Sequence, residues 1–166
     1  MTPILTPRLC IRPLTRWDGE AVYALVSRPE VARYMRFSQC RSPAQANKIL
    51  EEYLEPENRS FALEERETGR FVGIFSLKRD VEKEGVFSLS TFTHPACWNK
   101  GYAGETLARM MVYAREELFA KILSAYVVER NIGSRRVLEK CGFRVERSLQ
   151  FEDLSGSLLV YQLCLV

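Results

Sequence analysis

Histidine is almost missing from this chain of 166 residues: His94 is the only one. Cysteine occurs five times, as Cys10, Cys40, Cys97, Cys141 and Cys164, never in a C-x-x-C pair. Those shortages leave no zinc site of ordinary ligand spacing, and an odd, scattered set of thiols is not a disulfide framework. Long apolar runs are also lacking. The longest uncharged stretches, Gly85–Asn99 and Leu154–Val166, fall short of the roughly 18–20 residues of a spanning helix. The first residues have no basic region followed by an apolar one, as a secretory signal requires. Charge of one sign is scarce as well: 24 Lys and Arg against 21 Asp and Glu leave +3, too little to argue for nucleic acid. No repeat, low-complexity tract or linker divides the chain. The expectation is a single domain over residues 1–166, cytoplasmic, with reduced thiols and with no metal, membrane or nucleic-acid partner.

What is there reads as alternating elements. Leu9–Leu14 alternates like an opening strand, and Thr15 offers a cap to an amphipathic stretch running to Val26. Pro29 opens a short helical turn ending near Met35. Ser42-Pro43 marks a firmer helix start, followed by Ile49, Leu50, Tyr53 and Leu54 at helical spacing. Ser60–Glu67 and Phe71–Leu77 read as a hairpin around Thr68-Gly69, and Val86–Thr93 as a further strand stopped by Pro95. A long helix is expected from Lys100 to Phe119, a strand over Ile122–Val128, and a short helix over Asn131–Lys140 with Gly142 beyond it. Two more strands lie between Val145 and Val166, around Leu154-Ser155-Gly156. Hairpins early and strand–helix alternation late predict an α/β chain with a mixed sheet and helices on both faces.

The segment richest in chemistry is Thr91 to Glu105, T-F-T-H-P-A-C-W-N-K-G-Y-A-G-E. A strand ends, a loop turns, and a long helix begins among small residues. A helix start presents unpaired N–H groups and the positive end of the macrodipole, so it accepts an anion. Gly101, Ala103 and Gly104 let a pyrophosphate approach those amides closely. Ordinary packing of small residues against a sheet produces the same G-x-x-G spacing, so that spacing alone does not decide.

Two blocks together do more. Trp98-Asn99-Lys100-Gly101-Tyr102-Ala103-Gly104-Glu105-Thr106-Leu107 resembles the pyrophosphate signature Q/R-x-x-G-x-G/A of the GNAT superfamily of N-acetyltransferases. Asn131, Ser134, Leu138, Glu139, Lys140, Gly142 and Phe143 match that family's N-x-x-S-x-x-x-L-E-K-x-G-F block, and Arg8-Leu9 to Leu14 is similar to the opening of its ribosomal-protein N-terminal acetyltransferase branch. The resemblance covers nearly the whole chain. It implies the GNAT fold, a mostly antiparallel sheet of about seven strands with helices on both faces. It also implies an acyltransferase that moves an acetyl group from acetyl-CoA directly to a primary amine, acting as monomer or homodimer. Thr91, Phe92 and Thr93 would bond the pantetheine arm, the amides of Asn99, Lys100, Gly101, Tyr102, Ala103 and Gly104 would take the pyrophosphate, and Asn131 and Ser134 would contact the cofactor.

The resemblance is less complete for catalysis. A strand amide near Phe92 would polarise the carbonyl. The Tyr that many relatives use to protonate the leaving thiolate falls at Leu138, which leaves Ser134 as the candidate acid. Positions where relatives carry a glutamate base hold Ser88 and Tyr126, so Glu152 is the candidate base, with Asp153 beside it and His94 a weaker choice. Those departures keep an idle acyl-CoA-binding module open as the alternative. Trp98 replaces a residue that would bring a charge to a phosphate. Between residues 129 and 147, six basic side chains (Arg130, Arg135, Arg136, Lys140, Arg144, Arg147) oppose three glutamates, a surplus that suits either an anionic cofactor or a solvated helix face. The stretch Arg33–Ser60 is expected to wall the acceptor site, and its mixed charges name no ligand. The apolar strand Leu158–Val166 is the expected edge for pairing with a second copy.

Overall fold

The computed structural model describes residues 1–150 and 156–166. Eight strands and five helices alternate in the order Ile4–Leu5 (β1), Leu9–Pro13 (β2), Gly19–Val26 (α1), Pro29–Ala32 (α2), Pro43–Tyr53 (α3), Asn58–Glu65 (β3), Phe71–Arg79 (β4), Val86–Thr93 (β5), Tyr102–Glu117 (α4), Ile122–Val128 (β6), Ile132–Lys140 (α5), Arg144–Gln150 (β7) and Ser157–Cys164 (β8). The strands form one sheet in the order β1-β2-β3-β4-β5-β6-β8-β7. Every neighbouring pair is antiparallel except β5 and β6. Helix α4 makes that parallel connection, as such a crossover requires. The two-residue β1 is the strand the sequence pattern does not suggest; it lies beside β2 with Ile4 opposite Ile11.

Helices cover both faces. On one, α1, α2 and α3 bury Val22, Leu25, Val26, Val31, Ala46, Ile49 and Leu50 against Ala62, Ile74 and Phe92 of the sheet. On the other, α4 and α5 bury Leu107, Met110, Tyr113, Ala114 and Leu138 against Phe61, Phe75, Leu77, Leu89, Leu123 and Tyr161. Each fully buried large side chain of this kind stabilises the fold by about 1.5–3 kcal/mol relative to exposure. Strand alternation sorts β5 between the two: Phe87 and Leu89 face α4, and Phe92 faces α3.

Local signals explain the element starts. Thr15 and Asp18 form a capping box ahead of α1, through a turn of 3₁₀ helix at Arg16–Asp18. Ser42 accepts from the Gln45 amide and Pro43 occupies the first turn of α3. Helix α2 stops at Ala32, earlier than expected. Helix α4 begins at Tyr102, with Gly101 as its cap in the left-handed region at φ 80°, so Asn99, Lys100 and Gly101 belong to the loop. Asn99 is left-handed too, at φ 59°.

One expectation is overturned. The apolar strand at the C-terminal end is not an edge: β8 lies between β6 and β7, paired to both, and β1 and β7 are the outer strands. A strand with apolar residues on both faces is stabilised in the sheet interior, and the polar Arg144–Gln150 takes the rim instead.

Candidate active site

Strands β5 and β6 pair only from Val86↔Ile122 to Leu89↔Ala125 and then part. Beyond that point β5 still pairs with β4, through Ser76↔Ser90 to Gly73↔Thr93, but its other edge is open. The direction of each peptide group follows from its neighbours. Val86 O accepts from Asp80 N and His94 N donates to Val72 O, so even-numbered residues of β5 point to β4. Gly85 O accepts from Ile122 N and Phe87 O from the Ser124 hydroxyl, so odd-numbered ones point to β6. Thr91 therefore presents its backbone N–H and C=O groups to the opening and Thr93 its N–H, while the Thr93 carbonyl accepts from the Trp98 indole. The expected amide near Phe92 moves by one residue: the Phe92 N–H points to β4, and its ring is buried against Phe37 and Tyr53, 5.5 and 5.7 Å away between centroids.

The start of α4 follows the end of β5 by one loop, residues 94–101, which bonds back to Thr93 O through Trp98. Its first intrahelical bond runs from Glu105 N to Gly101 O at 3.1 Å, so the amides of Gly101, Tyr102, Ala103 and Gly104 have no partner within the helix, and no side chain caps them. A Cβ on Gly104 would meet nothing within 4 Å, so this turn faces open space. Two carboxylates brace it from behind. Glu105 accepts from the Thr6 hydroxyl at 2.6 Å, from Arg8 N at 2.9 Å and from Arg8 Nε at 2.7 Å. Arg8 also donates to Lys100 O at 2.6 Å and stacks over the Tyr102 ring at 4.5 Å. Glu65 accepts from the hydroxyls of Thr68 and Tyr102 and from Arg70, and these bonds, led by that from Thr68, hold its carboxyl down at about 2. The sequence gives no local sign of these braces; Arg8 and Glu105 stand ninety-seven positions apart.

Asn131 caps α5, its Oδ1 accepting from Ser134 N at 3.4 Å. The Ser134 hydroxyl has no hydrogen bond among the described residues. Leu138 is buried in the core, and Glu152 and Asp153 lie outside the described residues. The basic segment is partly structural: Arg135 donates to the Tyr161 hydroxyl at 3.1 Å, and that hydroxyl donates to Glu139 at 2.7 Å.

The weaker base candidate, His94, has another duty, and the nearby Cys97 thiol is not activated. His94 Nδ1 accepts from Ala96 N at 3.1 Å, capping the turn Pro95–Cys97. Burial, then the charges of Arg28 and Arg70, lower its pKa, which favours the neutral ring, and Nδ1 is already engaged by Ala96. Cys97 is buried and burial raises its thiol pKa, which disfavours the thiolate a nucleophile needs. Trp98 folds back and donates its indole N–H to Thr93 O at 3.0 Å, closing the loop onto the end of β5.

On the α3 side of the opening, the Tyr53 hydroxyl pairs with Ser90 Oγ at 3.1 Å and the Arg36 guanidinium sits over the Tyr126 ring at 5.7 Å. A cleft of about 650 Å³ lies alongside, lined by Pro29, Glu30, Ala32, Arg33, Tyr34, Gln39 and Trp98. Among the described residues no cluster of His, Cys, Asp and Glu can hold a metal ion, and no helix is long and apolar enough to cross a membrane.

Residues 8–144 match the acetyltransferase (GNAT) domain family. The chain belongs to the GNAT acetyltransferases. It is 30% identical over 155 residues to the uncharacterised N-acetyltransferase YoaA of Bacillus subtilis strain 168, covering 90% of this chain and 88% of that one. Its fold is similar to that of the spermidine N-acetyltransferase of Vibrio cholerae, solved with CoA and spermine, at TM-score 0.83 and 17% identity over 96% of each chain. It is similar, too, to RimL, a ribosomal L7/L12 alpha-N-protein acetyltransferase solved with CoA, at TM-score 0.85 and 11% identity over 97% of this chain and 96% of that one. These neighbours share one GNAT fold and act on unlike acceptors, so the fold leaves the acceptor open.

Proposed function

We propose that this GNAT enzyme transfers an acetyl group from acetyl-CoA directly to a primary amine. The reading favours a protein N-terminal α-amine, with a small-molecule amine nearly as well supported. The observation that carries it is the opening between β5 and β6, followed one loop later by the uncapped start of α4. The amides of Asn99, Lys100, Gly101, Tyr102, Ala103 and Gly104 would receive the pyrophosphate, since four of them have no helical partner and Gly104 faces open space. Thr91 and Thr93 would bond the pantetheine arm as an added strand does, with Phe92 as part of the wall and Asn131 and Ser134 at the far side.

The thioester supplies an activated carbonyl: the amine nitrogen forms a C–N bond, the C–S bond breaks, and one proton passes from the amine as the departing thiolate gains another. A Thr91 or Thr93 amide facing the opening is placed to donate to the carbonyl oxygen as charge develops there. The Ser134 hydroxyl, with no bond among the described residues, would donate to the thiolate.

The acceptor preference follows from the scarcity of bases. Ser88 and Tyr126 hold the positions where relatives carry glutamate, and His94 is engaged by Ala96. An α-amine with pKa about 7.7–8.0 costs about 1 kcal/mol to neutralise at pH 7, whereas a lysine amine near 10.4 costs about 4.6 kcal/mol. Glu152 remains the proposed base for whatever proton removal is needed.

Titration calorimetry with acetyl-CoA, followed by thiol release over peptides and small amines, tests this reading. Micromolar binding with release by α-amines is expected. Binding with release only by lysine side chains would overturn the α-amine preference, binding without any release would favour an idle acyl-CoA module, and no binding would overturn the site itself.

A further inference from the structure

Residues 28–41 carry four arginines, Arg28, Arg33, Arg36 and Arg41, against one carboxylate, Glu30, a local excess of 4 − 1 = +3. The segment leads from α1 to α3, on the face of the sheet away from α4. Arg36 and Phe37, consecutive in the chain, straddle the opening: Arg36 rests over Tyr126 of β6 at 5.7 Å, and Phe37 stacks edge-on against Phe92 of β5 at 5.5 Å. Tyr126 is the first β6 residue after the last β5–β6 pair, so the guanidinium sits where the strands begin to part. Arg33 rests over Tyr34 at 5.1 Å and lines the adjoining 650 Å³ cleft.

Neither guanidinium has a hydrogen bond or an ion pair among the described residues. Each presents five N–H donors, and each is steadied by an aromatic face instead of a carboxylate. An exposed guanidinium without a carboxylate partner is a receptor for a planar anion, which it can hold through two parallel hydrogen bonds. Carboxylates stand on this side too, Glu30 at the cleft, Glu20 on α1, and Glu51 and Glu52 on α3, but none pairs with Arg33 or Arg36 among the described residues. The anionic part of the cofactor has its own amides at the start of α4, which packs on the other face of the sheet.

We propose that the amine acceptor carries a carboxylate near its reacting amine, and that Arg36, seated on Tyr126, receives that carboxylate. This rests on the acetyl-transfer reading above. Two sources supply such chemistry, a free acidic amino acid and a peptide whose second residue is acidic.

The test uses the intact protein with acetyl-CoA and four probes: free glutamate, a C-terminally amidated Ser-Glu peptide, its Ser-Lys counterpart, and spermidine. The expected KM for one acidic probe is about ten- to a hundredfold below those of the basic ones, the usual worth of a charge-assisted pair. Preference for Ser-Glu over glutamate identifies the peptide source, and the reverse identifies the amino acid. Arg36→Gln should erase the preference through KM while leaving kcat and the calorimetric affinity for CoA unchanged, with Arg36→Lys recovering part of it. Equal or better use of Ser-Lys or spermidine overturns the proposal, as does an Arg36→Gln protein that keeps the acidic preference or binds CoA more weakly. Acetyl-CoA binding with no turnover of either acidic probe overturns the acceptor proposal alone. Absence of acetyl-CoA binding removes the transfer reading, and this proposal with it.

Discussion

Arg8 donates its Nε to Glu105 at 2.7 Å and so ties the residue ahead of β2 to the first turn of α4. The same carboxylate takes the Thr6 hydroxyl and the Arg8 amide, so one side chain holds three donors from the chain's opening. These bonds lower the Glu105 pKa against a burial that raises it. Glu105→Gln should lose about 1–2 kcal/mol in urea unfolding, held to that range because Arg8 is nearly half exposed and solvent screens the pair. Unchanged stability would mean the tie is dispensable.

Gly101 and Gly104 separate backbone need from ligand need. Gly101 sits at φ 80°, and a Cβ there would lie 3.2 Å from Arg8 Nη2. Gly101→Ala should destabilise the fold by about 1–2 kcal/mol, the cost of a left-handed alanine. Gly104→Ala meets no neighbour and replaces glycine inside a helix, so stability should hold or rise by up to about 1 kcal/mol. CoA affinity should nevertheless fall about tenfold or more, because the methyl occupies the approach to free amides. Calorimetry and unfolding on the same two proteins decide; a Gly104→Ala protein that binds CoA normally would move the pyrophosphate elsewhere.

Glu65 gives the fold an acid sensitivity of defined sign. Its carboxyl lies at about 2 in the folded protein against an ordinary 4.5, chiefly through the Thr68 hydroxyl, then Tyr102 and Arg70. The unfolded chain therefore takes up this proton first as the solution is acidified. The contribution is complete above about pH 4.5, declines as pH falls from 4.5 toward 2, and is gone below. Wild type and Glu65→Gln should differ in unfolding midpoint at pH 6 and converge across that window. A constant difference from pH 6 to pH 2 would assign the effect to shape, not charge.

Ser134→Ala should leave thermal stability unchanged, because the cap of α5 uses the Ser134 backbone N–H and the hydroxyl bonds to nothing described. If that hydroxyl protonates the thiolate, kcat should drop about ten- to a hundredfold, less with acceptors presented at a pH that favours thiolate release. Equal kcat at every pH would return Ser134 to plain helix entry. Asn131→Ala, by contrast, removes the Oδ1 acceptor and should cost about 1 kcal/mol of stability.

Much of the fold is legible where one residue type acts locally. Ser42-Pro43 announces α3 because a hydroxyl cap and a fixed φ need no distant partner. The start of α4 is legible only to within two residues, since Gly101's conformation is shared with Arg8 and the Lys100 carbonyl. The order β6-β8-β7 is not legible at all: periodicity says which face a strand buries, never which strand lies beside it.

The candidate site divides the same way. Small residues at a helix start mark the uncapped turn of α4 directly. That Thr91 and Thr93, not Phe92, face the opening depends on which carbonyls of β4 and β6 they meet, information carried by the partner strands. The Arg36–Tyr126 pair joins residues whose neighbours in sequence give no sign of each other, and Trp98 reads as a lost phosphate contact until its indole is seen on Thr93 O.

The gap between β5 and β6 also bears on where the sheet leaves backbone groups unpaired. An unpaired strand edge normally invites a second chain to add on, the first step toward aggregation. Here the unpaired groups lie inside the sheet, at the foot of a wedge whose two sides join at Leu89 and Ala125. The exposed groups of β5 are thus enclosed by the sheet on both sides instead of forming an outer edge.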